Sequence, residues 1–164
     1  MNNKFLLVVS FMILIFQKYS FSQDIEANKA IAKRYFNEVI NQKKINLVDS
    51  IFDKHYLVHG LETGDEGEGS DQLKDFLPSF FNAFPDIHYT ISDVIAEKDK
   101  VVIVARANGT QKEEFFGIQA SNGKLNNLSE IFVFRISNNK IAEGWRLIDL
   151  HNLFVRLKGD GSNN

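Results

Sequence analysis

The sequence predicts an α+β fold, with helices in its first half and a mostly antiparallel sheet in its second. Up to Phe84, apolar residues recur at spacings of three and four, which is the helical period. From His88 onward they alternate with polar residues, which is the strand period. Short segments join the strand candidates, and such segments connect antiparallel neighbours. The length of 164 residues favours one domain.

The first residues are predicted to form a secretory signal that is not part of the fold. Lys4 precedes an apolar run from Phe5 to Phe16, and Ser20-Phe21-Ser22 follows as a small-residue cleavage site. This three-part layout is typical of signal peptides, and the run is too short to span a bilayer comfortably. We therefore expect cleavage after residue 22 and a periplasmic or secreted protein. An uncleaved membrane anchor is the alternative.

Three amphipathic segments predict the helices. The first runs from Asp24 to about Lys43, and the second from Asn46 to about Phe52. Ser70 is a favourable N-cap for the third helix, and Pro85 ends it. The apolar stripe of this helix comprises Leu73, Phe76, Leu77, Phe80, Phe81 and Phe84. Because Pro78 lacks a backbone donor, we expect a kink there.

The segment between the second and third helices has two parts. His55 to His59 predicts a short extended segment. Gly60 to Gly69 contains four glycines and four acidic residues, which predicts a solvated loop. The loop does not match the calcium-binding pattern of an EF-hand, so calcium is not expected.

The period-two pattern predicts five strands and a helical end. The strand candidates are His88–Glu97, Val101–Gly109, Lys112–Gly117, Leu125–Ser137 and Lys140–Leu150. Asn138-Asn139 predicts a tight turn between the last two strands. Leu153 to Leu157 predicts a terminal helical turn. The domain is therefore expected to span residues 23–158, with 159–164 as a flexible tail.

Composition excludes several classes of function. The chain has no cysteine, which excludes disulfides, thiolate catalysis and cysteine-ligated metals. Its four histidines lack the spacing of metal ligands, so no metal is expected. The net charge is −2 and there is no basic stripe, so no nucleic-acid partner is expected. Nucleotide-binding and nucleophile-elbow motifs are absent as well, and no cofactor is expected.

Several short stretches, in the same order along the chain, carry a resemblance to a known family. They are Ala83–Asp86, Gly109–Ile118, Ile131–Ile136, Lys140–Trp145 and the single residues Asp149 and His59. Together they resemble the SnoaL-like polyketide cyclases of the nuclear transport factor 2-like superfamily. The resemblance implies helices packed on a curved sheet that forms a cone with an internal pocket. It also implies cofactor-free acid–base chemistry, such as aldol-type cyclisation, with Asp149 and His59 as catalytic residues.

Two residues are candidates for proton transfer. Strand alternation places Asp149 on the same face as Trp145, and an indole beside a carboxylate raises the pKa of the acid. Such an acid is suited to general acid–base catalysis. The alternative is that Asp149 caps the helical turn that follows it. Histidine titrates near neutral pH, so His59 is a candidate proton shuttle, and its alternative is an ordinary half-exposed histidine.

The other candidates are predicted to bind substrate. Glu130 shares a strand face with Phe132, so it is either a pocket acid or a solvated group at the end of the strand. Phe80 and Phe116 belong to an aromatic set that is first of all core, and some of this set is expected to line a cavity. Trp145 completes the predicted substrate-binding residues.

Three hypotheses for the function follow. The first is a protein that binds a small apolar or polycyclic molecule and, if catalytic, transfers protons through Asp149 and His59. The second is a non-catalytic module whose pocket holds a hydrophobic ligand. The third is a dimerisation domain, since sheets of the resembled fold commonly pair face to face, and a homodimer is expected. Polar residues converging at the pocket floor would favour the first hypothesis, and a purely apolar lining the second.

Overall fold

The computed structural model describes residues 24–60 and 66–158. The predicted signal peptide at 1–22 and the predicted tail at 159–164 lie outside these ranges. Within them, no helix is long and apolar enough to cross a membrane. The α+β prediction is confirmed, because helices pack on one six-stranded sheet.

The first helix, α1, changes its winding halfway. It is α-helical over residues 24–34 and continues as a π-helical segment, Tyr35–Ile40. The Asn41 N–H donates to the Phe36 carbonyl at 2.9 Å, which is the wider hydrogen-bonding step of a π-helix. Phe36 is fully buried on the side that faces the sheet. Such wide turns are frequent at functional sites, and this one brings Tyr35 and Phe36 to the cavity described below.

The remaining helices differ in length. A 3₁₀ turn, Ile45–Leu47, leads into α2, Val48–Ile51. The third helix, α3, is Ser70–Ala83, and the last, α4, is Leu150–Lys158. The predicted terminal helical turn is therefore a longer helix than its apolar residues indicated.

Helix α3 confirms the clearest amphipathic pattern of the sequence but begins differently from the prediction. Gly69, with φ at +92°, precedes the helix, and Ser70 is already its first helical residue. The Ser70 hydroxyl donates to the Asp49 carboxylate at 3.3 Å, which ties α3 to α2. The predicted N-cap role of Ser70 is therefore wrong, because its hydroxyl serves this contact. The helix continues through Pro78.

The sheet is mixed rather than wholly antiparallel. Its strands are β1 (Phe52–Gly60), β2 (Glu66–Glu68), β3 (His88–Glu97), β4 (Lys100–Asn108), β5 (Leu128–Ser137) and β6 (Lys140–Ile148). Their order is β2-β1-β6-β5-β4-β3. Strands β3 to β6 form the predicted antiparallel meander, whereas β1 pairs with β6 in parallel. The predicted extended segment at His55–His59 is the middle of β1, and part of the predicted loop is β2.

The segment at 112–117 is not the predicted strand. Its backbone turns back on itself, since Phe115 and Ile118 exchange hydrogen bonds of 3.0 Å in both directions. Phe116 and Gly117 form the turn with φ of +50° and +76°. The fully buried Gln111 fixes this loop, because its side-chain amide donates to the Ile118 carbonyl at 2.8 Å. An extended strand would leave this buried amide without that acceptor.

The two faces of the sheet have different environments. Alternate residues of β4, such as Val101 and Ile103, are buried on the inner face beneath the helices. On the outer face, Ile95, Ile131 and Leu147 are exposed to solvent. The inner face and the helices therefore enclose the core, and an unfilled part of this core is the cavity.

Candidate ligand-binding cavity

A cavity of ≈ 370 Å³ lies between α1, α3 and the inner face of the sheet. Its size falls within the range of small-molecule sites, about 300–1,000 Å³. Aromatic rings form most of its walls: Phe36 comes from α1, Phe76 and Phe80 from α3, and Phe132 and Phe134 from β5. These positions come from the helical and strand periods, which turn one apolar stripe of each element inward. The cavity is therefore suited to an apolar molecule.

One wall of the cavity is polar and internally hydrogen-bonded. The Glu130 carboxylate is buried, with 1% of its side chain exposed. Its Oε1 accepts a hydrogen bond of 2.9 Å from the Tyr89 hydroxyl, and its Oε2 accepts one of 2.7 Å from Arg146 Nε. Tyr89 and Arg146 border the cavity, while Glu130 lies behind them. A buried carboxylate needs such partners, since leaving it unpaired is costly.

Arg146 presents its guanidinium to the cavity. Its side chain is 37% exposed, and the guanidinium lies 5.6 Å from the centre of the Phe132 ring. In the described part of the chain, only its Nε has a hydrogen-bond partner, so both Nη groups are available. Burial alone would lower the pKa of Arg146, but Glu130 and the neighbouring tyrosines outweigh burial and raise it. The group is therefore a permanent cation.

Three tyrosines border the cavity, and two of them, Tyr35 and Tyr89, lie close enough to Arg146 to affect its pKa. Burial raises the pKa of Tyr35 to about 12, and it also raises the pKa values of Tyr56 and Tyr89. Their hydroxyls are consequently neutral donors at physiological pH. Gly144 makes room for one of them, because a Cβ at that position would collide with the Tyr56 hydroxyl.

The polar wall therefore presents hydrogen-bond donors to the cavity. The Glu130 oxygens are already occupied, whereas Arg146 and the Tyr35 hydroxyl have hydrogens to donate. No carboxylate or imidazole borders the cavity in residues 24–60 and 66–158. Such a wall can hold a carbonyl, enolate or carboxylate oxygen, but it lacks a side chain that readily takes up a proton.

Asp149 lies outside this wall, and the prediction of a desolvated pocket acid is wrong. The residue is exposed and directly precedes α4. Its Oδ1 accepts a hydrogen bond of 2.9 Å from the Asn152 N–H, which is the N-cap arrangement weighed as the alternative. This bond lowers the pKa of Asp149 instead of raising it. The strand ends at Ile148, so the alternation that aligned Asp149 with Trp145 no longer applies.

We expect Asp149→Ala to lower the melting temperature modestly without changing ligand binding, because α4 loses its cap. The pKa of Asp149 is lower in the folded protein, so its contribution is full above the unfolded value of about 3.9 and is lost at lower pH. The difference from wild type should therefore shrink in acid. Melting curves between pH 3 and 7 measure it, with Asp75→Ala as the control for losing an exposed carboxylate. A variant as stable as wild type at pH 7 would contradict the capping role.

His59 and Trp145 meet on the outer face of the sheet. Val58 and Gly144 border the cavity, so their neighbours in β1 and β6 point the other way. The His59 ring stacks on the Trp145 indole at 4.7 Å, and the Lys100 ammonium lies 5.4 Å from the centre of that indole. Trp145 still borders the cavity, but its ring belongs to this outer cluster.

Two charged residues complete the outer cluster. Glu143 lies 3.6 Å from His59 Nε2, and Arg135 Nη2 lies 2.6 Å from Glu143. The Arg135 guanidinium holds the pKa of Glu143 below its usual range. The structure thus separates His59 from the cavity and from Asp149, and the two predicted catalytic residues do not share a site.

The predicted binding residues fall into two groups. Phe80, Phe116 and Phe132 border the cavity, and that they bind a ligand stays a prediction. Glu130 is the buried carboxylate behind the polar wall and not a solvated group.

The sequence analysis identified Glu130 but missed Arg146 and Tyr89, which complete the polar wall. Arg146 alternates with Gly144 and Ile148 on the inner face of β6, and a charge at such a position is the signal that could have found it. Tyr89 gave a weaker signal, as a tyrosine in the apolar pattern of β3. No group of metal-ligating side chains is present in the ranges that the structure describes.

Comparisons with known proteins agree with this architecture. The sequence pattern of the SnoaL-like polyketide cyclase family matches residues 30–157. No curated relative matches the sequence. A protein from Jannaschia sp. CCS1 described as a SnoaL-like polyketide cyclase superposes with a TM-score of 0.75 at 20% identity, covering 82% of this chain and 93% of that chain.

Two further structures extend the likeness. A protein from Acidithiobacillus ferrooxidans described as a polyketide cyclase has a TM-score of 0.70 at 22% identity, covering 82% of this chain and 96% of that chain. An LEH-like epoxide hydrolase of M. tuberculosis has a TM-score of 0.65 at 10% identity, covering 82% and 86%. At these identities the likeness concerns the fold, and the predicted nuclear transport factor 2-like fold is confirmed.

Proposed function

The chain belongs to the SnoaL-like polyketide cyclase family, and we propose that its cavity binds a small, largely apolar molecule through an oxygen atom held by the polar wall. The observation that carries this proposal is the combination of aromatic walls with donors converging on one side. Apolar surroundings supply most of the binding free energy, and a few placed donors set the orientation of the ligand.

Titration with a neutral, apolar fluorescent probe, N-phenyl-1-naphthylamine, tests the proposal. We expect saturable binding to the wild-type protein. Leu73→Trp replaces an aliphatic side chain of the cavity with a large ring and should weaken binding about tenfold, which is about 1.4 kcal/mol. The matched control is Leu147→Trp, which makes the same change on the outer face and should leave binding unchanged. Equal binding by both variants would refute the cavity as the site.

Phe116 is expected to lower the stability of the fold while its ring contributes to ligand binding. Its ring is 69% exposed at the mouth of the cavity, and its backbone is left-handed, which costs a non-glycine residue about 1 kcal/mol. Because asparagine tolerates this conformation, Phe116→Asn should raise the free energy of unfolding by up to about 1 kcal/mol. It should also weaken binding of the neutral probe.

Phe116→Ala is the control, since it removes the ring without relieving the backbone. Chemical denaturation and probe titration should show weaker binding for both variants and a stability gain for asparagine alone. A gain for alanine as well would refute the backbone explanation.

Cofactor-free cyclisation or isomerisation is a second candidate function, which the donors of the polar wall favour. When water or hydroxide takes up a proton from the carbon beside a carbonyl group, an enolate remains, and guanidinium and hydroxyl donors stabilise its oxygen. The test is exchange of the methyl protons of 2-acetonaphthone in D₂O, followed by NMR. Catalysis predicts exchange faster than in buffer, and slower exchange for Tyr35→Phe. If exchange with the protein is no faster than in buffer alone, the protein does not catalyse this step, and a binding module is favoured.

We also propose a homodimer through the outer sheet face, where Ile95, Ile131 and Leu147 are exposed. Light scattering after gel filtration should give twice the mass of the monomer, and Leu147→Glu should give a monomer. A monomeric wild-type protein would refute this proposal.

Export is proposed from the sequence of the first 22 residues. N-terminal sequencing of the exported protein should begin at Gln23. A sequence beginning at Met1 would instead favour the membrane anchor.

A further inference from the structure

The polar wall uses only part of the hydrogen-bonding capacity of Arg146. A guanidinium carries five N–H groups in a rigid fork, and here a single one of them, on Nε, is bonded to Glu130 at 2.7 Å. In the described chain the two Nη groups have no partner, while the side chain is in part open to the cavity. The two Nη groups of Arg146 therefore form an edge of the guanidinium that is available to bind a ligand.

The rest of the wall fixes this edge in place. Glu130 holds the inner side of the guanidinium, and the Phe132 ring lies under its plane at 5.6 Å. The Tyr89 hydroxyl donates to the second oxygen of Glu130, so each oxygen of this carboxylate already accepts a hydrogen bond from the protein. Glu130 does not border the cavity, whereas Arg146 does.

The surroundings strengthen an ion pair between the Arg146 guanidinium and an anionic group in the cavity. The nearest cavity walls are aromatic, and the residues that border the cavity bring no carboxylate and no cation other than Arg146 in the described ranges. An ion pair that is shielded from water by apolar rings is stronger than one on the surface. Two parallel N–H donors match the two oxygens of a carboxylate better than the single oxygen of a ketone or an alcohol.

We propose that the ligand is an apolar monocarboxylic acid whose carboxylate binds the two Nη groups of Arg146 while its hydrocarbon part fills the aromatic cavity. This proposal rests on the proposed function, since it names the chemical class of the molecule that the cavity binds. Arg146 is then the residue that selects acids over neutral analogues.

The test compares two probes of nearly equal size, 2-naphthoate and the neutral ketone 2-acetonaphthone, by displacement of N-phenyl-1-naphthylamine. We expect the wild-type protein to bind the acid about tenfold more tightly than the ketone, as a charge-assisted bidentate pair exceeds one neutral hydrogen bond. In the double variant Arg146→Met with Glu130→Gln, this preference should disappear. The double change avoids leaving Glu130 charged without its partner, and retained binding of the neutral probe shows that the cavity persists.

Arg135→Met is the matched control, because it removes an arginine of the neighbouring strand β5 from the outer face. It should keep the full preference for the acid. Equal binding of acid and ketone by the wild type, or an unchanged preference in the double variant, would overturn the proposal while leaving the proposed function intact. Failure of all three naphthalene compounds to bind would instead overturn both.

Discussion

Replacing Arg146 with methionine is expected to lower the free energy of unfolding by about 3–5 kcal/mol, since breaking a buried ion pair leaves an uncompensated charge. The Glu130 side chain is 1% exposed and would keep only the Tyr89 hydroxyl as a partner. Methionine fills much of the space of the arginine stem, so the loss comes from the charge rather than from packing. Urea denaturation at pH 7 measures the change.

Two further variants separate charge from packing. Adding Glu130→Gln to Arg146→Met should restore most of the stability, because no charge is then left unpaired in the core. Arg135→Met breaks the pair with Glu143 on the outer face and should cost about 0–1 kcal/mol, because water reaches both of these side chains, unlike that of Glu130. If Arg146→Met cost no more than Arg135→Met, the buried pair would not have the role assigned to it.

Phe84→Ala is expected to cost about 3–5 kcal/mol, the usual price of deleting a buried aromatic ring. The Phe84 ring is 1% exposed; it packs edge-on against Phe115 at 5.1 Å and at a tilt against Phe80 at 5.7 Å. It does not border the cavity, so its removal opens a new void in a closed part of the core. Thermal and urea unfolding give the measurement.

Phe80→Ala is the informative comparison, since Phe80 borders the cavity. Removing its ring enlarges a space that already exists, so we expect a cost at the lower end of the same range. Binding of the neutral probe should change for Phe80→Ala and stay the same for Phe84→Ala. A greater loss of stability for Phe80→Ala would show that the two rings were assigned to the wrong environments.

The sequence predicted the helices and the meander because these elements have a strong period. Strand β3 has the predicted bounds, and α3 carries the predicted apolar stripe. The parallel pairing of β1 with β6 could not be predicted, since it joins segments that lie far apart in the chain and share no motif. The loop around Phe116 could not be predicted either, because the buried amide of Gln111 shapes it through tertiary contacts.

The site was harder to predict than the fold. Alternation correctly placed Glu143, Trp145 and Leu147 on one face of β6, but a period alone does not say which face the helices cover. Tertiary packing decides which face is covered, and in this protein the helices cover the face on which Arg146 lies. The prediction extended the last strand past Ile148, where β6 ends. Asp149 therefore lies just beyond the strand and caps α4 instead of facing the pocket.

The parallel pairing of β1 with β6 has a consequence for the order of folding. Strands β3 to β6 pair with neighbours in the chain, whereas Val58 must meet Gly144 across nearly the whole domain. Contacts between distant segments form late, because closing the long intervening loop costs entropy before any contact compensates for it. We therefore expect the meander to form first and β1 to dock afterwards. Since β1 contributes one wall of the cavity, the capacity to bind a ligand would arise only in the last step of folding, and a ligand would slow unfolding without accelerating the earlier steps.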